Sequence, residues 1–172
     1  MKKFLLYFPI AIALVILFVL IQCIKTYPLK YSAEIKAQAK ENEISAPLVA
    51  SIIYAESCFQ KNAKSNKGAV GLMQIMPQTA EWIASELNTA GYNLFDEKTN
   101  IAFGCYYLKY LHEKFDSEIE VLCAYNAGES KTREWQTQLG KITQENIPFA
   151  ETKNYVKKVF DAKKYYSKIF PS

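Results

Sequence analysis

A single histidine, His112, stands in 172 residues, so no group of imidazoles is available to hold a metal. The cysteines do not replace it. Cys23, Cys58, Cys105 and Cys123 lie far apart and lack the short paired spacings of zinc ligands. Strand signals are missing as well, because no segment alternates apolar and polar residues over the length of a strand. There is no internal repeat and no low-complexity tail. Charge of one sign is scarce. The net charge is +4, and two of the positive charges, Lys2 and Lys3, belong to the N-terminal segment. The remainder is too weak and scattered to mark a nucleic-acid partner. It is compatible with an anionic polymer or a membrane surface.

What the chain does contain is apolar and aromatic. It is 50% hydrophobic and 14% aromatic, which excludes disorder over most of its length. Its size allows one domain with a real core and not two ordinary ones. Lys2 and Lys3 precede an almost unbroken apolar run from Phe4 to Ile24. About 20 such residues cross a hydrocarbon core. The run is longer than a usual signal-peptide core and no small-x-small cleavage site follows it closely. An uncleaved anchor over residues 1–25 is the preferred reading, and a cleaved signal is the alternative. Gln22 stands where a lipid-attachment box before Cys23 needs a small residue, which argues against lipidation. The short, basic N-terminal tail places the rest of the chain, residues 26–172, outside the cytoplasm, although Lys25 and Lys30 weaken the charge bias. In that compartment Cys105 and Cys123 are candidates for a disulfide. Two small buried thiols on packed helices is the preferred reading.

Beyond a linker holding Pro28, the periodicity predicts helices throughout. Tyr31 to Asn42 has helical spacing and good helix formers. Ser45 and Pro47 open a second helix, apolar through Leu48, Val49, Ile52 and Ile53 and closing near Glu56. Cys58 to Val70 reads as a polar, turn-prone stretch. Pro77 and Thr79 open a helix to Leu87, Asn88 to Thr99 is a loop, and Asn100 caps a strong helix with Ile101, Cys105, Leu108, Leu111 and Phe115 on its apolar face. Ser117 caps another that ends at Gly128. A short helix over Thr132 to Leu139 and a last one over Thr152 to Ile169 complete an all-α domain of about six helices.

Four short segments carry chemistry: Glu56-Ser57, Gly71-Leu-Met-Gln-Ile-Met-Pro77, Ala124-Tyr-Asn-Ala-Gly128, and Pro148-Phe-Ala-Glu-Thr152 with Tyr155 beyond it. Glu56 ends a buried helix, where a carboxylate is costly and its protonated form is favoured. That is what a general acid requires near neutral pH. Each residue also has a plain reading. A glutamate at a helix end is usually solvated, Tyr125 and Tyr155 suit a core, Asn126 suits a helix terminus, and Glu151 suits the first turn of a helix as a charge.

Together, in this order and spacing, the four segments resemble the catalytic domain of the Slt-type lytic transglycosylases, a goose-lysozyme-like family that cleaves peptidoglycan glycan strands. The resemblance runs from about Tyr31 to Tyr166. It implies a lysozyme-like fold behind the N-terminal transmembrane helix, with Glu56 as the catalytic acid/base. It implies substrate contacts at Ser57, Ser65, Met73, Gln74, Tyr125, Asn126, Glu151 and Tyr155, and no metal or organic cofactor. The implied partners are peptidoglycan strands and, through the anchor, the cell membrane. The implied reaction is cleavage of the MurNAc-β-1,4-GlcNAc bond with 1,6-anhydro-MurNAc ends, Glu56 acting twice. Two departures stand out. Cys58 takes the place of a small residue, where a buried inert thiol is expected, and Gln60-Lys61 replaces Asn-Pro. A water-using muramidase with a second carboxylate, and a non-catalytic glycan-binding part of an envelope apparatus, are the alternatives.

Overall fold

The computed structural model describes residues 12–15 and 27–170. The expected anchor over residues 1–25 falls outside them apart from the short helical stretch 12–15, and no described helix is long and apolar enough to cross a membrane. Residues 27–170 form seven α-helices: α1 (Ser32–Glu41), α2 (Ala46–Ser57), α3 (Pro77–Glu86), α4 (Glu97–Lys114), α5 (Glu118–Ala127), α6 (Glu129–Leu139) and α7 (Ala150–Tyr166). No strand occurs among the described residues, in line with the all-α expectation. Two isolated β-bridges, Lys64 with Val70 and Val70 with Ile75, fold the segment between α2 and α3 into a tight loop.

The helix α2 is apolar on nearly every side, with Leu48 to Ile53 all buried, so it must run through the core. Its main packing partner is α7, which offers Tyr155, Val156, Val159, Ala162 and Tyr166. The helix α1 packs on α2 as well, and α4 and α5 complete the core, which includes Ile35, Ile101, Leu108, Leu111, Val121 and Leu122. Pro47 and Pro77 sit in the first turns of α2 and α3, where the missing N–H costs nothing.

Several boundaries differ from the sequence reading. Asn100 is not a cap. Asp96 caps α4 by accepting the Thr99 amide at 2.9 Å, and Asn100 lies a turn inside, buried. The sixth helix begins at Glu129 rather than Thr132, because Gly128 ends α5 and starts α6 at one residue with φ 92°. The last helix runs from Ala150 to Tyr166 and not from Thr152 to Ile169. Ser117 caps α5 as expected, accepting from Glu120 N at 3.2 Å. Cys105 and Cys123 are free and buried. Cys58, expected to be buried, is exposed, because it and Phe59 adopt left-handed backbone (φ 50° and 62°) that turns the chain after α2 and sends Phe59 inward.

The segment entering the domain is pinned. Tyr27 stacks on Tyr165 at 4.7 Å and lies 5.1 Å from the Tyr54 ring, while the Tyr166 hydroxyl donates to Pro28 O at 2.7 Å.

Candidate active site

Glu56 occupies the last turn of α2. The carbonyl end of a helix is its negative pole, which disfavours a carboxylate there. Burial adds the larger effect and raises the Glu56 carboxyl from 4.5 to about 7. Two groups oppose it. The Tyr155 hydroxyl, from α7, favours the ionised form, and so does the Lys158 ammonium one turn further on. Lys158 is held by the end of α2 itself. Its Nζ donates to Ala55 O at 2.7 Å and lies over the Tyr54 ring at 5.3 Å. The net result is a partly exposed carboxyl that is half-protonated near neutrality.

The Tyr155 hydroxyl is buried and no described group completes a hydrogen bond with it at standard geometry. It faces the Glu56 carboxyl at looser geometry, and burial together with that carboxylate pushes its own ionisation well up. Tyr125 is the second tyrosine beside Glu56. Burial first, and the Glu56 charge next, keep it neutral, and its hydroxyl donates to Met73 O at 2.8 Å. No other carboxylate contributes to the Glu56 shift.

The Gly71–Met76 segment is braced from behind. Asn100 Nδ2 donates to Val70 O and Leu94 O, both at 2.9 Å, and its Oδ1 accepts from Met73 N at 2.7 Å. Gly71, at φ 83°, leaves no room for a β-carbon against Asn100. A β-carbon at Gly104 would collide with the Met73 side chain. Ser57 Oγ lies 2.7 Å from Leu72 O and 3.1 Å from Ile53 O, so its proton ties this segment to α2.

The expected contact residues therefore divide. Gln74, Tyr125 and Asn126 line a groove of about 290 Å³, together with Lys67, Thr79 and Tyr107. Gln74, in left-handed backbone at φ 50°, also bonds Gly71 O (2.8 Å) and Ala63 O (3.2 Å) through Nε2. Asn126 Oδ1 accepts from Thr152 Oγ1 at 2.8 Å, which joins α5 to the start of α7. Ser57 and Met73 are buried, and they shape the site from within. Ser65 accepts the Ala69 amide at 3.0 Å in the loop before the groove. Glu151 is exposed in the first turn of α7, next in sequence to the buried Thr152. Asn100, Gly104, Thr152 and Lys158 escaped sequence reasoning. For Thr152 the signal was its place in the Glu-Thr pair; for Lys158 there was none, since it is one lysine among five on its helix. A cavity of about 540 Å³ lies at the opposite, N-terminal end of α2, around Ser45, His112 and Glu118.

The chain is similar to several known proteins. The chain is 37% identical over 150 residues to the soluble lytic murein transglycosylase of Escherichia coli K12, covering 81% of this chain and 23% of that protein. It is 38% identical over 88 residues to a membrane-bound lytic murein transglycosylase E of Buchnera aphidicola, covering 48% and 40%. Among solved structures, the 70 kDa soluble lytic transglycosylase of Escherichia coli superposes with a TM-score of 0.77 at 35% identity, over 85% of this chain and 25% of that one. A complex of the 70-kDa enzyme with bulgecin A gives 0.78. An inactive glutamate-to-glutamine mutant of the Pseudomonas aeruginosa enzyme Slt gives 0.76 at 29% identity, over 83% and 25%. The chain thus spans about a quarter of the length of the soluble relatives. The family model described as the transglycosylase SLT domain matches residues 33–148, and the chain belongs to that family.

Proposed function

We propose that this chain is a peptidoglycan lytic transglycosylase that cuts the MurNAc-β-1,4-GlcNAc bond and leaves 1,6-anhydro-MurNAc ends. The observation that carries the reading is the Glu56 carboxyl at the end of α2, raised to about 7 by burial, with Tyr155 and Lys158 as the groups that oppose the rise. A single group that must give a proton and then take one back works best with its pKa near the working pH. Protonated Glu56 gives its proton to the glycosidic oxygen as the C1–O bond breaks. The acetamido oxygen of the same MurNAc closes on C1. The Glu56 carboxylate then takes the proton of the C6 hydroxyl while O6 displaces that oxygen from C1. The proton is returned, no water is consumed, and the second carboxylate of an ordinary glycosidase is not needed.

Around this centre the tyrosines have separate tasks. Tyr155 donates to Glu56 whenever it is ionised, which steadies the carboxylate between the two steps. Tyr125 supports Met73 O and walls the groove. Gln74 and Asn126 offer amide groups to the sugar from the groove wall. Ser57 and Met73 support it from behind.

Residues 1–25 act as the membrane anchor and residues 26–172 as the catalytic domain, on the outer side of the cell membrane. The apolar run from Phe4 to Ile24 supports this, and one set of relatives is named membrane-bound. Deleting residues 1–25 is expected to leave activity on isolated wall intact and to impair it in cells.

The test is mass spectrometry of muropeptides released from purified peptidoglycan by the wild-type protein and by Glu56→Gln. Non-reducible anhydro products, lost in the variant, are expected. Reducible ends would mean hydrolysis by a muramidase. A folded protein that binds glycan and releases nothing would mean a binding component.

A further inference from the structure

Lys158 stands on α7 one turn beyond Tyr155, so both side chains reach the end of α2 from one face of that helix. Its ammonium does not pair with the acid it faces. Among the described residues Glu56 makes no ion pair. Lys158 Nζ instead donates to Ala55 O at 2.7 Å and lies 5.3 Å from the Tyr54 ring centroid. Ala55 O is one of the last carbonyls of α2, which have no partner inside the helix. The positive charge is thus seated on the backbone of the residue before Glu56. Asp161, one turn further along α7, does not draw it away, because Lys157 and Lys164 already hold that carboxylate. The Tyr54 ring is backed in turn by Tyr27 at 5.1 Å.

The seat of this charge matters to the chemistry. A cation in direct contact lowers a carboxyl by about 1–3 pH units. Glu56 would then be ionised at neutral pH, with no proton to give. An ammonium held one residue away acts through space and more weakly. It also offsets the negative pole of α2, which otherwise opposes a carboxylate at that end. The other titratable groups acting on or responding to Glu56 are Tyr155 from α7 and Tyr125 from α5, and burial keeps both neutral. Lys158 is the cation among them.

We propose that Lys158 is a positioning residue for the reaction: bound to Ala55 O, it fixes the last turn of α2 and holds one positive charge beside Glu56 without touching the substrate. This rests on the function proposed above. The charge favours the carboxylate that forms between the two steps. Its seat on the backbone leaves Glu56 its proton for the first.

The test is the pH profile of kcat/KM for release of anhydro-muropeptides from purified peptidoglycan, with the full-length protein in detergent as wild type, Lys158→Met and Lys158→Arg. Lys158 is exposed, so all three are expected to stay folded, as thermal unfolding will show. Methionine keeps an apolar stem over Tyr54 and removes both donor and charge. Without the charge Glu56 titrates higher, so the alkaline limb is expected to move up by about 0.5–1 pH unit and the plateau to fall about threefold or more. Lys158→Arg is expected to restore the limb and most of the rate. Added salt should move the wild-type limb in the same direction and leave that of Lys158→Met in place. A lower rate with an unmoved limb would reduce Lys158 to a helix cap and overturn the proposal. Equal limb shifts in the Met and Arg variants would also overturn it, because the charge would not be the agent. Both results leave the proposed function standing. No anhydro product from the wild type would overturn both.

Discussion

Asn100 and Met73 are joined across 27 residues by a 2.7 Å hydrogen bond from the Met73 amide to Asn100 Oδ1. With its Nδ2 bonds to Val70 O and Leu94 O, Asn100 satisfies three backbone groups of two loops from one buried side chain. Asn100→Ala would leave the Met73 amide and Leu94 O unpaired, while Val70 O keeps the Ile75 amide at 3.0 Å. The expected cost is about 2 kcal/mol or more, a fall in Tm of roughly 4–8 °C, read by thermal unfolding. Because Met73 O is also the acceptor for Tyr125, turnover should fall further than the loss of folded protein explains.

Tyr155→Phe removes a hydroxyl that lacks a completed bond, so stability should stay the same or rise slightly. That hydroxyl lowers the Glu56 carboxyl, and without it the carboxyl titrates higher. The alkaline limb of the kcat/KM profile is expected to move to higher pH, with a lower maximum because the second step loses its support. An unmoved limb would show that the two groups do not communicate.

The Glu56 carboxyl also makes stability depend on pH. Its folded value, about 7, lies above the ordinary 4.5. The folded state therefore holds the proton more tightly. Its advantage is complete below about pH 4.5 and is lost as pH rises through 7. Glu56→Gln, which cannot ionise, should be more stable than wild type at pH 8 by at most about 3 kcal/mol, and the difference should shrink on acidification. Urea titrations at pH 5 and pH 8 decide it.

Much of this fold was legible because its helices are strongly apolar on one side or all round, as in α2 and α4. The site was legible at Glu56, Gln74, Tyr125 and Asn126, whose residue types are unusual for their surroundings. Asn100 was misread because a cap signal is local: an asparagine before an apolar run looks the same whether it ends a helix or reaches across to a loop. Ser57 and Met73 share motifs with groove residues but face inward: Ser57 because successive residues on a helix point in different directions, Met73 because neighbours in a tight loop do. Lys158 depends on which helices meet, which no spacing along one helix reveals.

Among Cys58, Cys105 and Cys123, a maleimide reagent at pH 7.5 is expected to label Cys58 alone. Cys58 is exposed, whereas burial pushes the thiols of Cys105 and Cys123 up to about 12. Cys58→Gly should label nowhere among these three and should gain about 0.5–1 kcal/mol, since position 58 holds left-handed backbone.

Tyr27 rests on Tyr54, two residues before Glu56, and on Tyr165 of α7. With Tyr166 holding Pro28, the chain enters the domain clamped to the two helices that present Glu56 and Tyr155. A change at Tyr27 or Pro28 is thereby felt in the packing of the two helices that carry the site, although neither residue lies in it.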